Sequence, residues 1–449
     1  MDSADSLRDE EAPLVVAASA EASPAAAAAA PSPRGSHVRD VHILSCGFLL
    51  IFSAYGAAQN LESTVNTTDN LGTISLGILY VSFTFFSLVA SLVVRALGPK
   101  NAILLGTSGY WLFIAANLKP SWFTMVPASL YLGFGASIIW VGQGTYLTST
   151  ARTHAKDLSL HEGTVIGAFN GEFWGTFASH QVVGNLVSLA LLSEETDGTS
   201  SGTTLLFIVF LCCTTFGTIL MCFLRKRDSR EERASPEYPA SFRSSLVSLS
   251  KSVINPLFDV RMLLVIPLIA YSGLQQAFVW AEFTKDIVKP ALGESGVAGS
   301  MVVYGVFDAI CSLTAGRLTS GLTSITWIVS GGALLQASAF VWMLVKSSFS
   351  GVFQIICPLV LAAILGIGDG VLNTQLNALL GLLFKSDTEG AFAQLKVWQS
   401  ASIAVIFFLS PYISLQAMLW IMLAGVSLSF SGFMYLSLNV EKAFSRFRF

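Results

Sequence analysis

Twelve apolar stretches follow one another along this chain from Val41, and charged side chains are almost absent from them. They run over 41–61, 72–94, 101–118, 123–148, 164–192 and 203–224, and then over 262–283, 297–316, 322–346, 351–376, 392–413 and 416–437. A helix rises 1.5 Å per residue, so about 20 residues cross the hydrocarbon layer of a bilayer. Inside that layer every backbone N–H and C=O must be satisfied within the protein, which makes each stretch a helix. Only 12% of the 449 residues are charged, against roughly 25% in soluble domains. The sequence predicts an all-α membrane protein with twelve transmembrane helices.

Short echoes recur about 220 residues apart and in the same order. Tyr55-Gly56 with Gln59 returns as Tyr271-Ser272-Gly273 with Gln275 and Gln276. Tyr80 and Phe83 return as Tyr304 and Phe307, and Arg95 with Gly98 as Arg317 with Gly321. Ser108-Gly109 returns as Ser330-Gly331, Gly133-Phe-Gly135 as Gly366-Ile-Gly368, and Gly167-Ala168-Phe169 as Gly390-Ala391-Phe392. Each match is short, but their order and near-constant offset predict two six-helix pseudo-repeats, as in transporter folds of the major facilitator type.

Residues 1–38 are rich in Ala, Ser and Pro and cannot bury enough surface to fold, so a disordered cytosolic tail is expected there. The bundles are expected over 39–224 and 260–437, joined by a charged cytosolic linker at 225–259 and followed by a cytosolic tail at 438–449. With both termini cytosolic, the basic cluster from Arg225 to Arg261 and nearly all other Lys and Arg fall inside; only Lys119, Lys285, Lys289 and Lys346 fall outside. That asymmetry follows the positive-inside rule. In the linker, Phe242, Leu246, Val247, Leu249 and Val253 suit either an amphipathic helix on the inner leaflet or a plain linker. Asn66-Thr67-Thr68 is a glycosylation sequon in the first outer loop.

The chain carries no soluble-enzyme signature, and neither a cofactor nor a metal is expected. The six cysteines all fall in apolar stretches without metal-type pairing, and of the five histidines only His180 lies deep in a span. The net charge of −3 points to no nucleic-acid partner. Membrane lipid is the expected surrounding.

Ionisable groups inside the bilayer cost several kcal/mol unless paired or hydrated, so they are the first functional candidates. Glu172, Asp308, Asp369 and Lys396 form the candidate intramembrane polar network. Lys396 can pair with Asp369 or Asp308 within one bundle, or with Glu172 across the central cleft. The readings are a proton or substrate relay and a static ion pair. Gln59, Gln143, Gln275, Gln276, Asn373 and Gln375 are candidate cavity-lining groups, the alternative being hydrogen bonds between helices. Gly163, Gly167, Gly171 and Gly175 recur every four residues and form one stripe, suited either to close helix packing or to a partner's face.

After the second stretch, major-facilitator transporters commonly carry Gly-x-x-x-Asp-Arg-x-Gly-Arg-Arg. This chain has Ser91-Leu-Val-Val-Arg95-Ala96-Leu-Gly98-Pro99-Lys100, so Arg95 replaces the acid that normally serves the cytosolic gate. Further motifs are Tyr55-Gly-Ala-Ala-Gln-Asn60, Leu97-Gly-Pro-Lys100, Gly133-Phe-Gly-Ala136, Trp140-Val-Gly-Gln143-Gly-Thr-Tyr146 and Gly167-Ala-Phe-Asn-Gly171, followed by Gly184-Asn185. In the second half they are Gly273-Leu-Gln-Gln-Ala-Phe278, Gly305-Val-Phe-Asp308 and Gly366-Ile-Gly-Asp369. Together they resemble the Unc-ninety-three-like family, a divergent branch of the major facilitator superfamily, over about 41–437. That resemblance implies a twelve-helix regulator of potassium channels and membrane-protein trafficking that contributes to ion homeostasis, with a potassium channel or other membrane protein as partner and no enzyme activity. The alternative is a proton-coupled secondary transporter of a small solute. A plasma-membrane location is favoured, with an endomembrane as the alternative.

Overall fold

A computed structural model describes residues 36–65, 71–192, 201–226, 257–345 and 352–440. Among these, the amino-terminal half supplies α1 (Ser36–Val65), α2 (Leu71–Leu97), α3 (Pro99–Ala116), α4 (Trp122–Asp157), α5 (Glu162–Leu192) and α6 (Ser201–Cys222). The carboxy-terminal half supplies α7 (Val260–Phe278), continued by a π-helical segment over Val279–Val288, then α8 (Lys289–Leu318), α9 (Leu322–Val345), α10 (Val352–Leu383), α11 (Thr388–Leu409) and α12 (Leu415–Tyr435), the last continued by a π-helical turn over Leu436–Val440. Among the described residues, ten helical segments are long and apolar enough to cross a membrane. The two helices outside that set are α3, with 18 residues, and α5, which carries five glycines, Glu172 and His180.

Local sequence sets the helix ends. Gly98 adopts φ 78°, a conformation open to glycine, and Pro99 then starts α3. Ser121 caps α4, its hydroxyl accepting the Thr124 N–H at 3.3 Å. Asp259 caps α7 and Ser414 caps α12. At Gly293, φ 75° breaks the helical path within α8, so α7 and its π-helical extension turn there into the membrane-crossing part of α8.

The expected spans and the observed helices coincide to within a few residues at most ends. The main departures lie at the ends near Arg95 and at the start of α8, which begins at Lys289, eight residues before the expected span. Ser36 and His37, expected in the disordered tail, belong to α1, because the His37 ring reaches Asp157 at 3.0 Å and both Ser36 and His37 are buried. The helix α4 runs nine residues past its expected end, to Asp157, and α10 runs to Leu383. At the carboxy terminus the helix continues to Val440, into the expected tail. The linker's amphipathic segment, Lys346 and Asn66 lie outside the described residues.

The two halves meet along two seams, α5 against α8 and α2 against α11. The first seam consumes the glycine stripe. A Cβ on Gly171 would stand 2.6 Å from Gly316 Cα, and one on Gly167 would stand 2.4 Å from Thr319 Cβ. One on Gly163 would meet the Ser320 carbonyl oxygen at 2.7 Å, and one on Gly175 would meet Leu313 Cγ at 2.5 Å. The stripe therefore serves close packing between the halves, and its four glycines are not a face for another protein, because α8 already occupies it.

Candidate functional site: a central cavity and its ionic latch

Between the halves lies a cavity of about 540 Å³. Its amino-terminal wall is aromatic. Phe52 and Tyr55 from α1, Tyr80 and Phe83 from α2, and Trp140 from α4 line it, with Trp174 and Phe177 from α5 beside them. These rings order one another: Trp140 stacks on Trp174 with centroids 5.7 Å apart, and Phe52 packs on Trp140 at 5.0 Å. His180 is buried on this wall, its Nδ1 at 2.6 Å from the Phe177 carbonyl oxygen and its ring 4.4 Å from the Phe177 ring.

The carboxy-terminal wall is polar. Asp369 in α10 accepts from the Tyr304 hydroxyl at 2.7 Å, from Asn373 Nδ2 at 2.9 Å and from Gln276 Nε2 at 3.1 Å. Asp308 in α8 accepts one hydrogen bond, from the Ser312 hydroxyl to Oδ1 at 3.1 Å. Both carboxylates are 7% exposed. Lys396 in α11 donates to Gln399 Oε1 at 2.9 Å, and its ammonium lies 4.5 Å from the centroid of the Trp140 ring. Lys396 thus forms a cation–π contact with the opposite wall. Among the described residues it makes no contact ion pair with Asp308 or Asp369.

The structure therefore divides the predicted network. Asp308, Asp369 and Lys396 line one cavity. Glu172 stands apart, at 2.5 Å from Nδ1 of His42, with both side chains partly exposed on the α1–α5 side of the bundle. The cross-cleft pairing of Lys396 with Glu172 is not formed, since Glu172 belongs to a different helix face from its neighbour Trp174. The amide set divides as well. Gln59, Gln276 and Asn373 line the cavity, Gln59 donating to the Tyr80 hydroxyl at 2.8 Å. Gln143, Gln275 and Gln375 do not. Gln275 donates to the Leu365 carbonyl at 3.1 Å and Gln375 accepts from Thr319 at 2.9 Å, so these two join helices, while Gln143 is buried within the bundle. Consecutive helix positions point about 100° apart, which is why Gln275 and Gln276 have different roles.

Sequence reasoning did not single out Trp140, Trp174, Tyr304 or Gln399 as site residues. For Tyr304 a signal was present: Tyr80 and Tyr304 are one of the repeat echoes, and both hydroxyls belong to this cavity.

At the end near Arg95 the cavity is closed. The Phe392 ring of α11 is seated against Gly144 of α4, where a Cβ would meet it at 2.5 Å. Beyond it lies a layer of charges. Arg95 at the end of α2 pairs with Asp387, which also caps α11 through the Gly390 N–H at 2.9 Å, and its Nε lies 3.9 Å from Glu389. Arg152 of α4 holds Glu162 of α5 at 3.3 Å and donates to the Gly381 carbonyl at 2.6 Å, while Lys385 reaches the same Glu162 at 2.5 Å. The base that replaces the usual gate acid thus finds its acids on the other half. An ionic latch between halves is present, with the base on α2 and the acids on α11.

Comparison with known proteins agrees with this architecture. The family model described as ion channel regulatory protein UNC-93 matches residues 63–435. UNC93-like protein 3 of Arabidopsis thaliana is 66% identical over 420 residues, covering 93% of this chain and 89% of that protein. The putative potassium channel regulatory protein unc-93 of Caenorhabditis elegans is 29% identical over 435 residues, covering 87% of this chain and 60% of that one. Among solved structures, the major facilitator superfamily proton:xylose symporter XylE superposes with a TM-score of 0.68 at 11% identity, covering 91% of this chain and 97% of that one. Twelve helices in two halves, the latch and the matched family model lead to one assignment: this chain is a multi-pass membrane protein of the UNC-93 ion channel regulatory family, built on the major facilitator fold.

Proposed function

We propose that this protein is an accessory membrane subunit that regulates a cation channel, a potassium channel being the first candidate, and so contributes to ion homeostasis. The family match over residues 63–435 carries this reading. The relative from Caenorhabditis elegans named as a potassium channel regulator supports the choice of channel. In this reading both termini are cytosolic, which the asymmetry of Lys and Arg supports, and the protein resides in the plasma membrane. The partner docks on peripheral helix faces, since the α5 stripe is already covered by α8.

The test is electrophysiological. Potassium currents from a co-expressed channel are recorded with and without this chain, alongside surface biotinylation and pull-down of the channel. Altered current or surface density is expected. Unchanged currents, trafficking and pull-down across the channels tested would remove the regulatory reading.

Proton-coupled transport of a small solute is the second reading. The observation behind it is a cavity that holds two buried carboxylates and is closed at one end only by side-chain contacts. Uptake driven by a pH gradient into vesicles containing only this protein is its test, and no uptake above empty vesicles would count against it.

A further inference from the structure

We propose that the central cavity is a binding site for a monovalent organic cation: a protonated amine carried on a flat apolar body. This goes beyond channel regulation and does not rest on it.

The charge balance of the cavity favours a cation. It holds two carboxylates, Asp308 and Asp369, and one ammonium, Lys396. That ammonium is already seated, on the Trp140 ring and on Gln399 Oε1. Asp369 is oriented entirely by neutral donors, namely Tyr304, Asn373 and Gln276. Asp308 has a bond only at Oδ1, so among the described residues its Oδ2 has no donor. A buried carboxylate with a free oxygen accepts strongly from N⁺–H, because charge-assisted hydrogen bonds are the strong ones. An anionic ligand would instead face two acids and find the one base occupied.

The opposite wall selects the rest of the ligand. Tyr55, Tyr80, Trp140, Trp174 and Phe177 present ring faces and edges to the same space. Rings of this kind hold flat apolar groups and also attract cations. A volume of about 540 Å³ lies within the range of about 300–1,000 Å³ common to small-molecule sites. A bare inorganic cation would use the carboxylates and leave the aromatic wall idle. A neutral solute would leave one negative charge of the cavity unbalanced, since two carboxylates face one ammonium.

The test uses the full-length protein in lipid nanodiscs and compares three probes of similar shape: phenethylamine, phenethyl alcohol and phenylacetate. Binding is read by calorimetry and by the thermal shift. Phenethylamine is expected to bind saturably and at least about ten-fold more tightly than the other two. Asp308→Asn is expected to weaken it by about ten-fold or more, with the Ser312 contact kept. Lys396→Met is expected to tighten it, since it removes the competing charge. Equal binding of the amine and the alcohol would overturn the proposal, as would tighter binding of phenylacetate, or saturable binding of potassium ions without any of the amine. The wild-type comparison of probes decides the matter even if a variant fails to fold.

Discussion

The two walls of the cavity descend from repeats of one plan and yet differ in kind. The amino-terminal wall is built of rings that order each other by stacking, with His180 as its single titratable side chain besides tyrosines. The carboxy-terminal wall carries both carboxylates, the lysine and most of the amides. Echoed positions show the divergence directly: Tyr80 accepts from an amide, while Tyr304 donates to a carboxylate. Duplication preserved the helix-packing plan, and the chemistry then specialised by side. Because Lys396 crosses the gap to Trp140, any relative movement of the halves alters a charge–ring contact at the cavity floor.

The largest effect is expected where the walls are brought face to face. Gly171→Leu would push a side chain into the Gly316 backbone of α8. Overpacking typically costs about 1–3 kcal/mol and more when backbones must part, so loss of the monodisperse peak in size-exclusion chromatography is expected. Gly331→Ala, where no atom lies within 4 Å of the added Cβ, should leave that peak intact. A folded Gly171→Leu protein would mean that the seam is looser than described.

Next in size is the contrast between the walls themselves. Asp369→Leu leaves Tyr304 and Asn373 Nδ2 without their acceptor and Gln276 with only its 3.4 Å contact to Asn373 Oδ1, and each orphaned donor costs about 1–3 kcal/mol. Phe52→Leu on the ring wall removes volume but orphans no polar group, so about 1 kcal/mol is expected. Thermal melts should rank Asp369→Leu well below Phe52→Leu. Equal melting temperatures would reduce the division between walls to mere composition.

A smaller effect belongs to the latch. Asp387→Asn keeps the cap on Gly390 but removes the nearer of the two charges facing Arg95, Glu389 remaining. Partly exposed pairs contribute about 0.2–1 kcal/mol. Labelling of a cysteine placed at Ser400, by a reagent added on the Arg95 side, should therefore rise by no more than about five-fold. An unchanged rate would show that the Phe392 contact alone holds this end shut.

The smallest effect concerns Asp259, outside the membrane-spanning segments. Burial works to raise its carboxyl, but hydrogen bonds from the Arg261 side chain and backbone, together with its charge, hold it below the ordinary aspartate value. A group lowered in the folded state stabilises above its unfolded value and loses that contribution as pH falls. A slight drop in melting temperature below about pH 4 is expected, and Asp259→Asn should flatten it. An identical acid profile in the variant would exclude this group.

The fold was legible because the bilayer admits so few backbone solutions. Helices α1 to α12 announce themselves by length and lack of charge, and their pairing into halves by the echoes. The site was half legible. Asp308, Asp369 and Lys396 stand out because charge is rare in apolar runs. Their mutual geometry does not, since it depends on how α8, α10 and α11 are rotated about their axes. Glu172 stood out as a charge in an apolar run and as a candidate cross-cleft partner of Lys396, but its partner His42 lies 130 positions away on α1, and no local pattern announces that contact. The ring wall was hidden for a similar reason: its members, Tyr110 of α3 included, come from five helices in an already aromatic chain.

With 36 residues, α4 is about 54 Å long against about 30 Å of oil. Its last turns, carrying Arg152 and Asp157, therefore project into water, and the fastening that joins the two halves is wetted. Mobile ions screen such contacts over about 8 Å at physiological ionic strength. The bundle's tendency to part at this end therefore follows the electrolyte around it, falling in dilute solution and rising in brine.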